Sequence, residues 1–446
     1  MDGNKVSRDC MTTAGQTSST RAGAGRPLDF RIPWIIKRNI SLFALSQMFT
    51  GAGMQFAYGF GPLMVIHLTG SAALAGMMVA LIGFSRFLIA YPVGRITDTY
   101  GRKPGIMLGL VLALVGAVVT GVAMLLRNFA LLALGMLIFA SGMNAAQQLR
   151  VAATDMFPAH HRAQALGYVA LGSLVGLVLS PAIMAVTERL SAATGHDPLA
   201  LPWLFLPALI IPGMFMILMV RPDPKEIGMN LKHYYPGHVE PERKSMAAAS
   251  FGVGTMLRHE PIRLAIVSNC AAQGNMTIVM VLTSLVLSHH GYSLTAIAAS
   301  HVFHTCGMFA FTIPLGRLAD RYGHDKVMYP GVAVALIGAA LVAFTPSYWT
   351  VTLGTFLVGL GWAGANVAAT ALIADRYESY ERGRAIGVNE SIGGGMTMVM
   401  ALVTGPLIEW GGLPATGLTA VLITLPPLLM LVESRARNAV TSTSRD

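Results

Sequence analysis

The chain has 446 residues, of which 54% are hydrophobic and only 12% charged, with a mean hydropathy of +0.60 and a net charge of +10. Soluble domains carry roughly twice that charged fraction, so a soluble fold is excluded, and three cysteines, two of them inside apolar runs, exclude a disulfide scaffold. The apolar residues fall in blocks of about 20, long enough to cross a hydrocarbon core as helix, the form that satisfies backbone polar groups where there is no water.

Residues 1–38 are polar, small and basic and lack the apolar core of a signal peptide, so they are expected to form a disordered cytoplasmic tail. An N-terminal half then occupies 39–220, with spans predicted at 39–62, 72–94, 104–126, 128–151, 164–186 and 200–220. The longest internal loop, 221–263, divides the chain. A C-terminal half at 264–433 follows, with spans at 264–288, 293–316, 327–345, 349–374, 385–407 and 413–432, and residues 434–446 form a second cytoplasmic tail. The predicted fold class is therefore an all-α membrane protein of twelve transmembrane helices in two six-helix halves. With both termini in the cytoplasm, 27 of the 31 lysines and arginines fall in cytoplasmic segments, as the positive-inside rule requires. Arg127 and Arg189 fall outside, and Arg86 and Arg150 lie within spans.

The halves repeat. Gly94, Arg95, Asp98, Tyr100, Gly101, Arg102 and Lys103 after span two recur 222 positions later as Gly316, Arg317, Asp320, Tyr322, Gly323, His324 and Asp325, with Lys326 one position beyond. Asp155, Arg162, Ala165 and Gly167 after span four recur 220 positions later as Asp375, Arg382, Ala385 and Gly387. Two landmarks at one period indicate parallel six-helix repeats, an arrangement of secondary transporters. The run GRITDTYGRKP resembles the loop signature of the major facilitator superfamily, and PLGRLADRYG its weaker second copy. That resemblance implies a rocker-switch transporter with a central cavity lined mainly by spans one, four, seven and ten. Within the signature, Gly94 is expected to permit close helix approach, Asp98 to sit at a helix end, and Gly101, Arg102 and Lys103 to complete a conformational latch with Gly316 and Asp320 in the second copy. An anion at a helix N-terminus or beside an arginine makes a breakable contact of about 0.3–2 kcal/mol, able to bias one of two states. Thr99 stands where the superfamily usually has arginine, and His324 departs from the second copy, which points to a weaker latch there. Drug–proton antiporters of the superfamily carry an arginine in span four and a Gly-Pro-x-x-Gly-Gly run in span five. MLIFASGMNAAQQ has no arginine at the comparable place and GSLVGLVLSPAIM lacks the run, which leaves uptake more open than efflux.

Two pairs at helical spacing, Met276/Met280 on span seven and His304/Met308 on span eight, sit at depths of about 12 to 23 Å at ~1.5 Å per residue. Residues at i and i+4 share a face, and thioether sulfur and imidazole favour Cu(I). Packing methionines and a histidine bonded to a carbonyl or water would give the same pattern. The pairs resemble the motif pair of the CcoA-like copper importers, which implies copper binding at Met276, Met280, His304 and Met308 and import of copper for cytochrome oxidase assembly. The same branch contains riboflavin importers, so uptake of a small organic solute such as riboflavin stands as the alternative, with a non-transporting sensor as a further class. Asn144, Gln147, Gln148, Asn269 and Asn366 read mainly as interhelical hydrogen-bonding groups. Gln273 and Asn275, beside Met276, are candidates to hydrate the cavity, and Glu390 to couple protons or pair with Arg384. No nucleophile–base constellation or phosphate loop appears, so no enzyme is expected. Nor is a cofactor expected, copper being a transported substrate. The expected partners are the lipid bilayer and a small solute or metal ion, with no nucleic acid, and the protein is expected to be a monomer of the bacterial inner membrane.

Overall fold

The computed structural model describes residues 32–158, 161–235, 253–377 and 379–433, and among them there is no strand. The protein is twelve transmembrane helices in two six-helix halves. Span one runs Trp34–Thr69, a short 3-10 turn occupies Ala72–Leu74, and spans two and three run Met77–Tyr100 and Arg102–Leu125. Span four is Phe129–Ala146 continued by Gln148–Asp155, span five is Arg162–Gly176 and Leu179–Thr194, and span six is Leu201–Leu218. Span seven is Glu260–His289, span eight Leu294–Ala310 and Thr312–Tyr322, span nine Asp325–Phe344 and span ten Tyr348–Arg376. Spans eleven and twelve form one run, Ser379–Leu422, broken at Gly412 (φ 69°, ψ −169°) and resumed over 425–433.

Nine helical stretches among the described residues are long and apolar enough to cross a bilayer, the last of them, 385–433, holding both spans eleven and twelve. Span one is less apolar because it carries Asn39, Ser46, Gln47, Thr50 and Gln55, all buried. It also begins ahead of its predicted edge: the Arg38 side chain donates to the carbonyls of Met219 and Arg221, tying this end of span one to the end of span six. Span eight breaks at Phe311 because Pro314 has no N–H to give the Ala310 carbonyl. Thr312 Oγ1 donates back to Met308 O at 3.0 Å, a bond that favours such bends.

Helices touch through small residues, as they must where lipid offers no hydrophobic drive. Spans three and four meet along Gly109, Gly116, Gly135 and Gly142, where a Cβ would come within 2.2–2.7 Å of the facing backbone. Spans nine and ten repeat this along Gly331, Gly338, Gly354 and Gly361, at 2.5–2.8 Å. The sequence repeat is thus also a repeat of packing.

The two halves are closed against each other on the face opposite the signature loops. A Cβ on Gly76 of span two would lie 1.6 Å from Ala401 O of span eleven, and one on Gly405 would lie 1.9 Å from Ala73 O. Nearby, the Glu188 carboxylate of span five accepts from the Leu294 N–H at 2.7 Å and from the Thr295 hydroxyl, so an anion of one half caps the N-terminus of span eight in the other. On the signature-loop face, a Cβ on Gly94 or Gly387 would meet nothing within 4 Å, and one on Gly316 would meet only Val367 Cγ1 at 3.8 Å. Gly94 therefore makes no close helix contact in this state, contrary to the sequence expectation, because its face is not the closed one.

A wedge at the closed face should part the halves. With the native cysteines replaced, spin labels on Ala193→Cys and Trp410→Cys should show a longer distance distribution in Gly405→Val than in the parent. Glu188→Gln should shift the same population by about tenfold, the ~1.5 kcal/mol of a hydrogen bond to a charged group. Unchanged distributions in both variants would show that these contacts do not hold the face shut.

Candidate functional site

Midway along the spans, one polar junction joins the halves. Gln55 of span one donates to Thr305 Oγ1 of span eight, and the Thr305 hydroxyl donates to His301 O at 3.0 Å. The His301 ring packs over Gly59 of span one, 3.5 Å from where a Cβ would stand. His301 Nδ1 donates to Ile297 O at 2.9 Å, leaving Nε2 3.4 Å from the Ser284 hydroxyl of span seven. Thr283 and Thr355 hydroxyls meet at 2.9 Å between spans seven and ten. His304 turns toward span ten, where its Nδ1 donates to Thr355 O at 2.8 Å and its backbone lies against Gly359. Because a carbonyl only accepts, both imidazoles carry their proton on Nδ1. His304 Nε2 is a buried lone pair with no hydrogen-bond partner.

The predicted metal quartet is placed as follows. Met276 and Met280 are 8% and 3% exposed in the apolar cluster that runs across both halves, and Met308 packs against that cluster, partly buried. Spans seven and eight are joined by Ser284 and His301 rather than by a bond from His304. Among the described residues, no three His, Cys, Asp or Glu side chains are grouped as metal ligands. Asn275 donates to Ala420 O at 2.7 Å, tying span seven to span twelve. Gln273 is buried against Gly393, Asn269 accepts from Asn366 at 2.9 Å, and Glu390 is exposed, while the side chain of Arg384 lies outside the described residues.

At the signature loop, Gly101 (φ 106°) makes the connection between spans two and three, a backbone that a Cβ would strain. Asp223 Oδ1 accepts from the Arg102 N–H and Oδ2 from the Lys103 N–H, both at 3.0 Å, so its carboxylate caps span three. Asp223 also accepts from Lys225 N at 2.8 Å, starting its own short helix, Pro224–Met229. The Arg102 guanidinium pairs with Asp155 at 2.7 Å, and Lys103 Nζ donates to the Leu218 and Val220 carbonyls at the end of span six. The Asp98 side chain lies outside the described residues. In the second half His324 occupies the place of Arg102 and meets Asp375, the repeat of Asp155, at 2.8 Å. Asp320 is exposed. Just beyond, Tyr235 donates to Met156 O at 3.3 Å, and burial raises the pKa of its hydroxyl.

Sequence reasoning missed Gln55, Thr305, Glu188 and Asp223. Asp223-Pro224-Lys225-Glu226 carried a readable helix start, an N-cap aspartate with proline next and glutamate two further on. A glutamine inside an apolar span was the available signal for Gln55. Glu188 had none, since its partner is 106 positions away. Asp223→Ala leaves the capped N–H groups without their acceptor and should lower stability by about 1–2 kcal/mol. Thermal unfolding of the purified protein measures this, and an unchanged midpoint would show that the Asp223 cap contributes nothing to holding span three.

The sequence profile of the Major Facilitator Superfamily matches residues 43–262 and 264–445, one segment over each half. The chain is 26% identical over 410 residues to the uncharacterized MFS-type transporter YdeG of Bacillus subtilis (strain 168), covering 90% of this chain and 93% of that one. It is 25% identical over 380 residues to the riboflavin transporter RfnT of Brucella anthropi, covering 84% and 90%. Its fold superposes on the crystal structure of the nucleoside transporter NupG with a TM-score of 0.65 at 12% identity, covering 91% and 99%. Matched over both halves, in profile and in fold, the chain is a membrane transporter that belongs to the Major Facilitator Superfamily.

Proposed function

We propose that this protein imports a small organic solute across the bacterial inner membrane by alternating access, with both termini in the cytoplasm. The observation that carries this reading is the mid-span junction of Gln55, Ser284, His301, Thr305 and Thr355, neutral hydrogen-bonding groups drawn from spans one, seven, eight and ten. Neutral donors and acceptors in a closed seam suit the hydrogen-bonding body of an organic cargo, because their own bonds can be exchanged for bonds to it. The basic residues crowd the signature-loop ends of the helices, so the positive-inside rule puts that face in the cytoplasm. The closed contacts at Gly76, Gly405 and Glu188 then belong to the outer face, and the state is inward-facing. Riboflavin is the first cargo to test, since a relative aligned along most of this chain is a riboflavin transporter.

Copper is the second reading, and one observation favours it. His304 holds its Nδ1–H on a carbonyl and keeps Nε2 free, the arrangement metal-bound histidines use. Met276, Met280 and Met308 belong to the adjoining apolar cluster and would supply the thioethers.

Expressed in a bacterial host that requires external riboflavin, the protein should raise riboflavin uptake above a vector control. Gln55→Leu should lower that uptake about tenfold, equivalent to ~1.4 kcal/mol, while Met276→Leu/Met308→Leu should leave it unchanged and total cell copper should not move. Copper accumulation abolished by the methionine double variant, without riboflavin uptake, would establish the metal reading instead.

A further inference from the structure

Two arginines stand inside the spans of the N-terminal half, Arg86 on span two and Arg150 on span four. Arg86 lies nine residues past Met77, about 13 Å along the helix at ~1.5 Å per residue. Spans two and four are tied side by side at this level, since Asn144 donates to Ile82 O at 3.3 Å as well as to Ser85, the residue before Arg86. Arg150 lies over the Phe309 ring of span eight, 5.5 Å from its centroid, which puts it on the seam between the halves. Neither guanidinium has an ion pair or hydrogen bond with a described residue. Beside them, Asn144 donates to Ser85 Oγ at 2.6 Å, and Gln147 Oε1 is buried without a partner.

An intramembrane charge is costly, and intramembrane arginines are ordinarily paired or face a water-filled pathway. Two of one sign placed together add repulsion, and each offers five N–H donors in a fork matched to carboxylate and phosphate. The Phe309 face attracts one cation but gives no acceptor to those donors. We infer that Arg86 and Arg150 form a binding site for the oxyanion of a small organic solute, carboxylate or phosphate, whose apolar body lies on Phe309. Arg150 over Phe309 lies on the seam, so an anion held there touches both halves. The same pair repels cations from this part of the seam. The inference goes beyond the organic-solute reading by adding a charge requirement, and it does not depend on which cargo the uptake assay identifies.

Thermal unfolding of the purified protein with benzoate, phenyl phosphate or the neutral isostere benzamide tests it. One or both anions should raise the midpoint saturably and benzamide should not; the stronger anion distinguishes a carboxylate site from a phosphate site. Arg86→Gln and Arg150→Gln should each weaken the apparent affinity more than tenfold. In wild-type protein, the same anion should protect Arg86 and Arg150 from phenylglyoxal, read by mass spectrometry, which needs no variant to fold. Stabilisation by neither anion, equal stabilisation by benzamide, undiminished stabilisation of the variants, or no protection at the two arginines would overturn the inference. Because the assay reads binding, its failure leaves a positive riboflavin uptake standing, and failed uptake leaves the anion site standing.

Discussion

Inside a hydrocarbon slab, polar groups have only one another, and the architecture follows from where each finds its partner. Most are settled within or between neighbouring helices. Thr50, Thr277 and Thr305 return their hydroxyls to carbonyls four residues back, Asn275 reaches Ala420, and Asn144 reaches Ser85. These bonds are internal to a helix or a half and can persist while the halves move. The groups settled only across the seam, such as Gln55 with Thr305 and Glu188 with span eight, are those that must break when the halves separate. Others, among them His304 Nε2, are buried with no partner.

The two faces of the molecule differ by a simple steric measure. On the closed face, the halves touch backbone to backbone, at Gly76 with Ala401 and at Gly405 with Ala73, and no side chain larger than hydrogen fits. On the signature-loop face, Gly94 and Gly387 look onto open space. Packed interfaces are bistable rather than continuously deformable, so backbone contact on one face with open space at Gly94 and Gly387 on the other is what one end-state of a rocking pair would show. The charges of the signature loop are meanwhile held within the N-terminal half, with Arg102 on Asp155 and Asp223 capping span three. In this state these bonds brace the N-terminal half.

The second half repeats the first in its packing more faithfully than in its charges. The glycine rows between spans nine and ten reproduce those between three and four. Where the first half has the permanent cation Arg102, however, the second has His324 on an exposed Asp375. A guanidinium keeps its charge at every physiological pH, and an imidazole does not. The substitution that reads in the sequence as a weaker latch keeps a contact with Asp375 and makes it through an imidazole.

The sequence by itself determined the solvent of the fold, the number and order of its spans, the two-half repeat and the family. Each of these rests on local composition or on spacing along the chain: apolar blocks long enough to cross a bilayer, glycines and charges recurring at one period. It also picked out His304, Met276, Met280 and Met308 as unusual, because polarity and soft donors in an apolar run are visible one residue at a time. Only the tertiary structure decided which way those residues face. His304 turns to Thr355 on span ten, the link between spans seven and eight falls to Ser284 and His301, and Gln55 arrives from a helix 250 positions away in sequence. A helix fixes which residues share a face but not which neighbour that face meets. That choice is made by how closely the glycine-lined backbones of other helices can approach.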